Sequence, residues 1–369
     1  MKIYTLVLVF FFLCNTNLSY GNSYNNSASS AIVMEVKTGK ILYEKNIKQS
    51  MAMASTTKIM TALLALENGD INKYIKIDNK AVGVEGSSIY LQHNEKVLMK
   101  DLIYGLMLRS GNDSAVAIAS HVGGSVEKFI DLMNKKAKEI GAVNTHFMNP
   151  NGLHHKNHYT TAYDLALITR EALLNKKFSE IVKTKLWIAN REGYKYFYNK
   201  NKTLTQYEGG DGVKTGYTRA AGRCLVTSAT RDGMQLICVV LNDPNWFNDS
   251  YSLLDYAFSE YEAHCIVKKG TVIKTVKIQN GKKTYTKVVS PEDIIIPMKP
   301  SEKNKLKVIV DMDKVLDAPI ARGTKLGYFK VYIDDDLMYK GELNAREDIY
   351  EKDFEDKVWD FIKNKIFKK

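Results

Sequence analysis

A serine and a lysine at helical spacing form the first pair of residues in this chain whose types could do chemistry. Ser55 and Lys58 open the apolar run STTKIMTALLALENG, so on a helix their side chains share a face. A serine hydroxyl is a weak nucleophile until a base removes its proton. A lysine can be that base when burial or a neighbouring cation lowers its pKa. Both residue types are common, however, and Ser55 alone also fits an N-cap.

Two further short motifs follow in the order that a serine acyl-transfer site requires. An S-x-N motif occupies 110–112, between two predicted helices, and a K-T-G motif occupies 214–216, at the start of a late predicted strand. Each motif alone also fits an ordinary turn or strand. S-x-x-K, S-x-N and K-T-G in this order, on these kinds of element, form the motif set of the active-site serine enzymes that recognise penicillin.

The tetrapeptide Val-Lys-Thr-Gly occurs twice, at 36–39 and at 213–216. The first copy connects two apolar runs as the turn of a predicted hairpin, and it precedes the candidate nucleophile. Lys37 is therefore expected to be a solvated charge. The second copy continues into Tyr217 and a predicted buried strand, so Lys214 is the lysine expected at the active site.

The elements around these motifs predict an α+β fold. Helical patterns occupy the middle of the segment, where the apolar residues of 55–69 share one helix face and 98–109 predicts a second, largely buried helix. Strand patterns lie at its two ends. This arrangement is typical of helices packed on one antiparallel sheet. The predicted catalytic domain spans 22–262.

Two segments of different character follow this domain. Residues 263–345 carry short alternating runs of Val, Ile, Thr and Lys punctuated by glycines, which predicts a small all-β, sandwich-like domain. Residues 346–369 predict an amphipathic helix with lysines at its end, which is typical of a peripheral anchor on an anionic membrane surface. Docking of this helix on the β domain is the alternative. Its apolar stripe consists of Phe354, Val358, Phe361, Ile362 and Ile366, widened by Trp359 and Phe367.

The N-terminus predicts export. A basic start, the apolar run 3–14 and the small residues of a cleavage site indicate a signal peptide over 1–21, cleaved near Gly21. The expected location is the outer face of the cytoplasmic membrane or the cell wall, as a peripheral protein. Export argues against nucleic acid as the partner of a chain with net charge +12, and favours an anionic membrane or wall polymer.

Longer stretches around the motifs resemble the D-alanyl-D-alanine carboxypeptidases, which are low-molecular-weight penicillin-binding proteins. The resemblance covers roughly residues 30–262, and the β domain with its terminal helix is similar to that family's layout. The stretches that carry it are GSSIYLQ, KDLIYGLMLRSGNDSAVAIA, FMNPNGL, HYTTAYDLALITRE and DGVKTGYT. The resemblance implies a fold like that of penicillin-binding proteins and serine β-lactamases. It also implies removal of the terminal D-alanine from peptidoglycan stem peptides, covalent inhibition by β-lactams, and no cofactor.

The resemblance further implies roles for the groups that would carry out acylation. Ser55 is the acylated nucleophile and Lys58 its general base. Ser110 relays a proton to the leaving D-alanine, and Asn112 hydrogen-bonds the substrate peptide. The backbone N–H groups of Ser55 and Tyr217 form the oxyanion hole.

A second set of residues is expected to bind the substrate beside its terminal carboxylate. Lys214 attracts this carboxylate, and its like charge lowers the pKa of Lys58. Thr215 and Thr218 hydrogen-bond the carboxylate. Gly216 lets the substrate backbone approach the strand, because it has no side chain.

The chain departs from the family pattern in two places. His154 follows the Gly-Leu of the N-P-x-G-L loop, where many relatives have Asp. Some relatives place an arginine near the carboxylate after the strand that follows K-T-G, and 242–252 contains none, so Arg219 or Arg223 could substitute. The histidines of HHKNH, at 154–158, lack the H-E-x-x-H arrangement and lie in a predicted polar loop, so no metal site is predicted.

Two other functions share these motifs. A serine β-lactamase must hydrolyse its acyl-enzyme quickly, usually with a loop glutamate, and the loop 147–160 contains no Glu. A catalytically weak penicillin-binding or wall-binding protein would tolerate loss of Ser55 or Lys58, and both are present. The function that the resemblance implies, a serine D-Ala-D-Ala carboxypeptidase that limits wall cross-linking, is the prediction, with these two functions as its alternatives.

Overall fold

The computed structural model of the protein describes residues 25–366. The predicted signal peptide, 1–21, and the end of the predicted terminal helix, 367–369, lie outside the described residues. In the first part of the described chain the strands are β1 (Ser30–Glu35), β2 (Ile41–Lys45), β3 (Tyr74–Lys76), β4 (Lys96–Leu98), β5 (Leu186–Ile188), β6 (Tyr196–Tyr198), β7 (Gly210–Thr218), β8 (Gly222–Arg231) and β9 (Met234–Leu241). The helices are α1 (Lys58–Asn68), α2 (Met99–Tyr104), α3 (Asn112–Gly123), α4 (Val126–Ile140), α5 (Ala162–Leu174), α6 (Lys176–Lys183), α7 (Thr203–Gln206) and α8 (Trp246–Glu260).

One antiparallel sheet organises this part of the chain. Its strand order is β2-β1-β9-β8-β7, which places the K-T-G strand β7 at an edge. Side chains of β1 alternate between two faces. Ala31 and Val33 pack in the core beside α8, whereas Ile32 and Met34 pack in the larger core with α1, α3 and α5. The predicted α+β class with one antiparallel sheet is confirmed.

The helix predicted over 98–109 is interrupted. α2 ends at Tyr104, and the chain continues as a π-helix over Gly105–Arg109. Ser110 then adopts a left-handed conformation with φ +64°. A Cβ on Gly105 would lie 3.0 Å from the side chain of Ile89, so this glycine lets the preceding loop, which contains Ile89, pack closely. π-Helical turns are frequent at functional sites, and the hydrophobic period of the sequence does not reveal this one.

The turn that contains the first Val-Lys-Thr-Gly copy contacts a distant part of the chain. Lys37 Nζ lies 3.2 Å from the carboxylate of Glu292 and donates to the carbonyl of Asp293 over 2.9 Å. Lys40 Nζ forms a second, less exposed ion pair with Glu302 at 2.8 Å. The expectation that Lys37 is a solvated charge is therefore wrong, because its partner is supplied by residues more than 250 positions away.

The C-terminal part is built from strands. They are β10 (Glu262–Val267), β11 (Val272–Gln279), β12 (Tyr285–Val289), β13 (Ile294–Met298), β14 (Leu306–Met312), β15 (Val315–Asp317), β16 (Lys325–Ile333) and β17 (Asp336–Ala345). A six-stranded sheet of order β14-β16-β17-β12-β11-β15 and the pair β10-β13 contribute side chains to one core, which includes Phe329, Val331 and Ile296. The predicted C-terminal all-β architecture is confirmed.

The terminal helix is α9, Phe354–Ile366. Its described apolar side chains are exposed to solvent: Phe354 is 80% exposed and Trp359 is 65% exposed. Val358 and Ile362 are also exposed. Within residues 25–366, none of the helices combines the length and hydrophobicity needed to cross a bilayer.

Candidate active site

Ser55 lies on a short turn that precedes α1. Residues Ala54–Thr57 form a 3-10 helix, and Ala54 adopts φ +48°. The hydroxyls of Thr56 and Thr57 donate to backbone carbonyls three residues earlier, over 2.6 and 2.8 Å. These bonds fix Ser55 at the beginning of α1, where the helix N-terminus favours negative charge.

The Nζ atom of Lys58 is completely buried and contacts three oxygen atoms. It lies 2.9 Å from Ser55 Oγ and 2.7 Å from Asn112 Oδ1, and it donates to the carbonyl of Asn151. The last two oxygens can only accept, so they take two N–H bonds. In a neutral amine the lone pair then remains for the Ser55 hydroxyl. The contacts therefore match an amine that can take the proton of Ser55.

The charges around Lys58 favour this neutral form. Burial lowers the pKa of Lys58 well below its ordinary value, and the charge of Lys214 lowers it further, against a smaller opposing effect of Asp113. Burial and the charge of Lys200 lower the pKa of Lys214 to about 7. Burial and the charge of Arg109 also lower the pKa of Lys200. Desolvation and like charge thus act together at the base.

Asn112 connects the base to a neighbouring loop. Its Oδ1 accepts from Lys58, its Nδ2 donates to the carbonyl of Glu85, and its backbone N–H donates to the carbonyl of Ser87 over 2.7 Å. The orientation of the amide follows from this network, because the carbonyl of Glu85 can only accept. Ser110 is buried two residues earlier, on the left-handed turn that ends the π-helix.

Asp113, the residue after the S-x-N motif, also binds the loop that Asn112 contacts. Its buried carboxylate accepts the backbone N–H groups of Ile89 and Leu91 and the hydroxyl of Ser88, over 2.5 to 3.2 Å. Sequence reasoning did not assign this residue a role. The feature of the sequence that could have identified Asp113 is its position directly after Asn112, at the start of α3.

The N-P-x-G-L loop packs against the nucleophile turn. Besides the contact of Asn151 with the base, the carbonyl of Pro150 accepts from Thr61 in α1 over 2.6 Å. Gly152 adopts φ +89°, and a Cβ there would lie 2.0 Å from the carbonyl oxygen of Ala54. A side chain at position 152 would therefore displace either the loop or the nucleophile turn.

His158 supports this packing as a neutral imidazole. Its Nδ1 accepts the N–H of Met148, so the ring proton is on Nε2. Nε2 lies 2.8 Å from the hydroxyl of Thr57, which donates onward to Ala54. Burial, together with the charges of neighbouring histidines and of Lys58, lowers the pKa of His158 to about 4. The sequence had placed this histidine in a polar loop.

The K-T-G strand lies against the nucleophile turn at Gly216. A Cβ on this glycine would lie 3.0 Å from the backbone nitrogen of Ser55. Lys214 is buried and donates to the carbonyl of Thr215 over 2.8 Å. Tyr217, the next residue of β7, is 63% exposed. The structure thus brings the K-T-G strand and the S-x-x-K turn together.

The residues considered for carboxylate binding differ in their surroundings. Thr215 is half-buried, and Thr218 Oγ1 accepts the N–H of Ala221 over 3.0 Å, which leaves its own hydroxyl hydrogen to donate. Arg219 is exposed. Arg223 donates to the carbonyl of Pro244 over 2.6 Å, so its guanidinium is already held.

Lys200 is a cation that the sequence did not reveal. Its Nζ donates to Ser87 Oγ over 3.3 Å, and its charge acts on both Lys58 and Lys214. The polar run around it, YNKNK, has no motif or period that could have identified it. Its position depends on how the chain after β6 folds back over the S-x-N loop.

The histidines of 154–158 do not converge. His154 and His155 are exposed, whereas His158 is buried against Thr57. Among the described residues, no group of three or more His, Cys, Asp and Glu side chains is arranged to hold a metal ion.

Comparison with known proteins places this geometry in a family. A family model described as D-alanyl-D-alanine carboxypeptidase matches residues 19–245, more than half of the chain. The chain belongs to the D-alanyl-D-alanine carboxypeptidase family. A second model, described as the C-terminal domain of penicillin-binding protein 5, matches residues 261–351, which include β10–β17. The chain is therefore a low-molecular-weight penicillin-binding protein, and its enzyme class is serine hydrolase.

Individual members of the carboxypeptidase family align along most of the chain. The D-alanyl-D-alanine carboxypeptidase DacF of Bacillus subtilis is 37% identical over 88% of this chain and 86% of its own length. The DacA enzyme of Haemophilus influenzae is 31% identical over 91% and 88%. Penicillin-binding protein 5 from H. influenzae matches with a TM-score of 0.67 at 30% identity, covering 89% of this chain and 98% of its own.

A peptidoglycan synthesis regulatory factor (PBP3) from Streptococcus pneumoniae matches with a TM-score of 0.74 at 27% identity. It covers 88% of this chain and 100% of its own. The similarity of this chain to these proteins thus extends over both the α+β part and the strands that follow.

Proposed function

We propose that this D-alanyl-D-alanine carboxypeptidase family member removes the terminal D-alanine of peptidoglycan stem peptides through an acyl-enzyme on Ser55. The observation that carries the proposal is the hydrogen-bond arrangement of Lys58. Two acceptors, Asn112 Oδ1 and the carbonyl of Asn151, take its N–H bonds and leave its lone pair to Ser55.

Acylation would proceed in one sequence of bond changes. Lys58 takes the Ser55 proton as Oγ bonds to the carbonyl carbon of the penultimate D-alanine. The negative charge on the carbonyl oxygen is stabilised by the backbone N–H groups of Ser55 and Tyr217, and losing one such donor typically costs about 10²–10³ in rate. The C–N bond to the terminal D-alanine breaks, and its amine receives a proton through Ser110. Water then attacks the ester carbon as Lys58 takes one of its protons, and the bond from this carbon to Ser55 Oγ breaks as Oγ receives that proton.

Recognition of the substrate carboxylate is proposed for the β7 side of the candidate active site. Lys214 supplies the charge, and the hydroxyls of Thr215 and Thr218 donate hydrogen bonds. Since β7 is the edge of its sheet, an extended peptide can lie along its backbone groups. Lys200 adds a second cation close to Lys214, which supports a site for an anionic terminus.

Release of D-alanine from a pentapeptide tests this proposal. Ser55→Ala is expected to abolish release, whereas Lys37→Ala is expected to retain it, because Lys37 lies in the distant hairpin turn. A β-lactam should acylate the same serine. Turnover of a chromogenic cephalosporin without release of D-alanine would instead identify a β-lactamase.

We also propose the location and the limits of the domains. The signal peptide at 1–21 would export the chain, and the catalytic domain would run over 22–262, followed by the β domain at 263–345 and the helix segment at 346–369. The exposure of Phe354 and Trp359 on α9 supports a membrane surface as the partner of this helix.

Binding to anionic vesicles tests the proposed anchor. Removal of 354–369, which takes away α9 but keeps Ile349 in the core of the β domain, is expected to release the protein from vesicles that contain anionic lipid while leaving D-alanine release from a soluble peptide intact. Unchanged vesicle binding after the deletion would show that the helix has a structural role.

A further inference from the structure

A groove with aromatic walls lies beside the S-x-N loop and is not used by the chemistry above. Its volume is about 680 Å³, within the usual range for ligand sites. One wall is the loop around Tyr90, another is Tyr74 of β3, and the third is the turn of the β5–β6 hairpin, with Asn190 and Tyr194.

The aromatic side chains of this groove are both exposed and held in place. Tyr74 is 52% exposed, and its hydroxyl accepts from Asn190 Nδ2 over 2.9 Å. Tyr90 is 63% exposed, and its ring meets that of Tyr194 edge-on, with centroids 5.4 Å apart. Rings that are fixed before binding lose little conformational entropy when a ligand stacks on them.

The backbone at Tyr90 is itself unusual. Tyr90 adopts φ +61°, a conformation that bulky residues rarely adopt and that costs about 1–3 kcal/mol. The surrounding loop imposes it, since Tyr90 N–H donates to Ser88 Oγ over 2.8 Å and its carbonyl accepts from Arg191. A mostly exposed ring gains little from packing in return, and strained residues of this kind cluster at ligand sites.

The base of the groove is polar, and its arginine is already paired. The Arg191 side chain is nearly buried and donates to the carboxylate of Glu95 over 2.8 and 2.9 Å. Its remaining donors bond the carbonyls of Ile89, Tyr90 and Tyr194. Because its N–H groups are committed to these partners, Arg191 is not available for a phosphate or carboxylate. Lys96, Lys195 and Glu192 also line the groove, so its lining carries charges of both signs, and its exposed tyrosine rings suit a ligand with hydroxyl and amide groups.

The groove is joined to the active site through shared residues. Asn112 bonds the carbonyls of Glu85 and Ser87, and the same loop reaches Tyr90 three residues later. Arg109, which directly precedes Ser110, places its guanidinium 5.6 Å from the centre of the Tyr194 ring. Three residues span at most about 11 Å, so Tyr90 lies within about 11 Å of Ser87. The four stem residues on the sugar side of the reacting bond span about 13–14 Å when extended. These lengths are similar, so a stem peptide bound at Ser55 can extend its sugar end towards this groove.

We propose that the groove binds the amino-sugar backbone of peptidoglycan, so that the enzyme prefers stem peptides that are still attached to sugar. The inference rests on the proposed carboxypeptidase function. Pyranose rings would stack on Tyr74 and Tyr90, and the acetamido and hydroxyl groups would exchange hydrogen bonds with Asn190 and Gln92. The groove would contribute binding energy without contacting the reacting bond.

The test compares D-alanine release from a disaccharide-pentapeptide with release from the same pentapeptide without sugar. Wild type is expected to show a higher kcat/KM for the sugar-bearing substrate. Tyr74→Ala combined with Tyr90→Asn, which tolerates positive φ, should reduce this preference about 3- to 10-fold, mainly through KM. Tyr285→Ala, an equally exposed tyrosine on β12, should leave the preference unchanged. Equal use of both substrates by wild type would overturn the inference while leaving the carboxypeptidase function intact. No release from either substrate would instead remove the function on which the inference rests.

A binding measurement that needs no catalysis provides the second arm. Titration with chitotriose, a neutral oligomer of N-acetylglucosamine, should give saturable binding that the Tyr74/Tyr90 variant weakens. Binding that is equally strong in the variant would place the sugar elsewhere. Absence of any binding to folded, penicillin-reactive wild type would contradict the groove assignment.

Discussion

The imidazole of His158 lies 2.8 Å from the hydroxyl of Thr57, although the two residues are 101 positions apart. Thr57 is two residues after Ser55, and its hydroxyl also holds the carbonyl of Ala54. The nucleophile turn is therefore fixed partly by a neutral histidine from the loop that also supplies a carbonyl to Lys58. This contact makes the geometry of the candidate active site depend on the protonation of a residue outside it.

Protonation of His158 is expected to destabilise the protein as the pH falls. Its pKa of about 4 in the folded state lies below its ordinary value of 6.5, so between these values the unfolded state binds more protons. Stability should fall as the pH is lowered from about 6.5 towards 4, by at most roughly 3 kcal/mol from this group. Denaturant unfolding of wild type and His158→Asn at several pH values measures this effect. Other groups titrate in both proteins, so the difference between the two isolates His158, and parallel pH profiles would contradict the assignment.

Lys214 should control the pH at which Lys58 becomes an active base. Burial is the main reason that the pKa of Lys58 is low, and the charge of Lys214 is the next. Lys214→Met removes that charge, so the pKa of Lys58 should rise and the acidic limb of the penicillin acylation rate should move to higher pH. Lys200→Met should move it in the same direction by less, since Lys200 has a smaller effect on Lys58. A limb that stays in place in the Lys214 variant would show that this lysine does not tune the base.

Gly152 should be irreplaceable at the contact between its loop and the nucleophile turn. Gly152→Ala combines an unfavourable φ of +89° with a Cβ 2.0 Å from the carbonyl oxygen of Ala54. The variant is expected to lose about 1–3 kcal/mol of stability and to acylate at least about 10-fold more slowly, because a small displacement of a reacting group is costly.

Gly83→Ala provides the matched control for this substitution. Gly83 has a similar φ of +75°, but a Cβ there would have no atom within 4 Å. It should therefore show only the backbone cost, about 1 kcal/mol, with normal acylation. Equal acylation by both variants would show that the close approach at Gly152 does not position Ser55.

The sequence predicted the parts of the site that depend on local spacing. Ser55 and Lys58 are three residues apart, on the 3-10 turn and at the first residue of α1, so helical spacing predicts that their side chains meet, and Lys58 Nζ lies 2.9 Å from Ser55 Oγ. The contact of Lys58 with the carbonyl of Asn151 could not be predicted, because a backbone oxygen has no sequence signature and the loop must fold first. The same applies to Lys200, which lies in a polar run without a period.

For the fold as well, the sequence predicted the main elements but not the local irregularities or the distant contacts. Alternating apolar strands and a block of helices indicated one antiparallel sheet, and the structure has it. The π-helix before Ser110 was missed because it retains an apolar, helix-like pattern. The partner of Lys37 was missed because Glu292 comes from a distant segment, and residue type alone does not distinguish a paired surface lysine from a solvated one.

The most direct test of the account is the site of covalent modification by penicillin. Folded protein is incubated with a labelled penicillin, digested and mapped by mass spectrometry. The account predicts one adduct, on Ser55, with acylation abolished in Ser55→Ala, severely slowed in Lys58→Ala and nearly unchanged in Lys37→Ala. An adduct on another residue, or no adduct on Ser55 in folded protein, would contradict the assignment of Ser55 as the nucleophile.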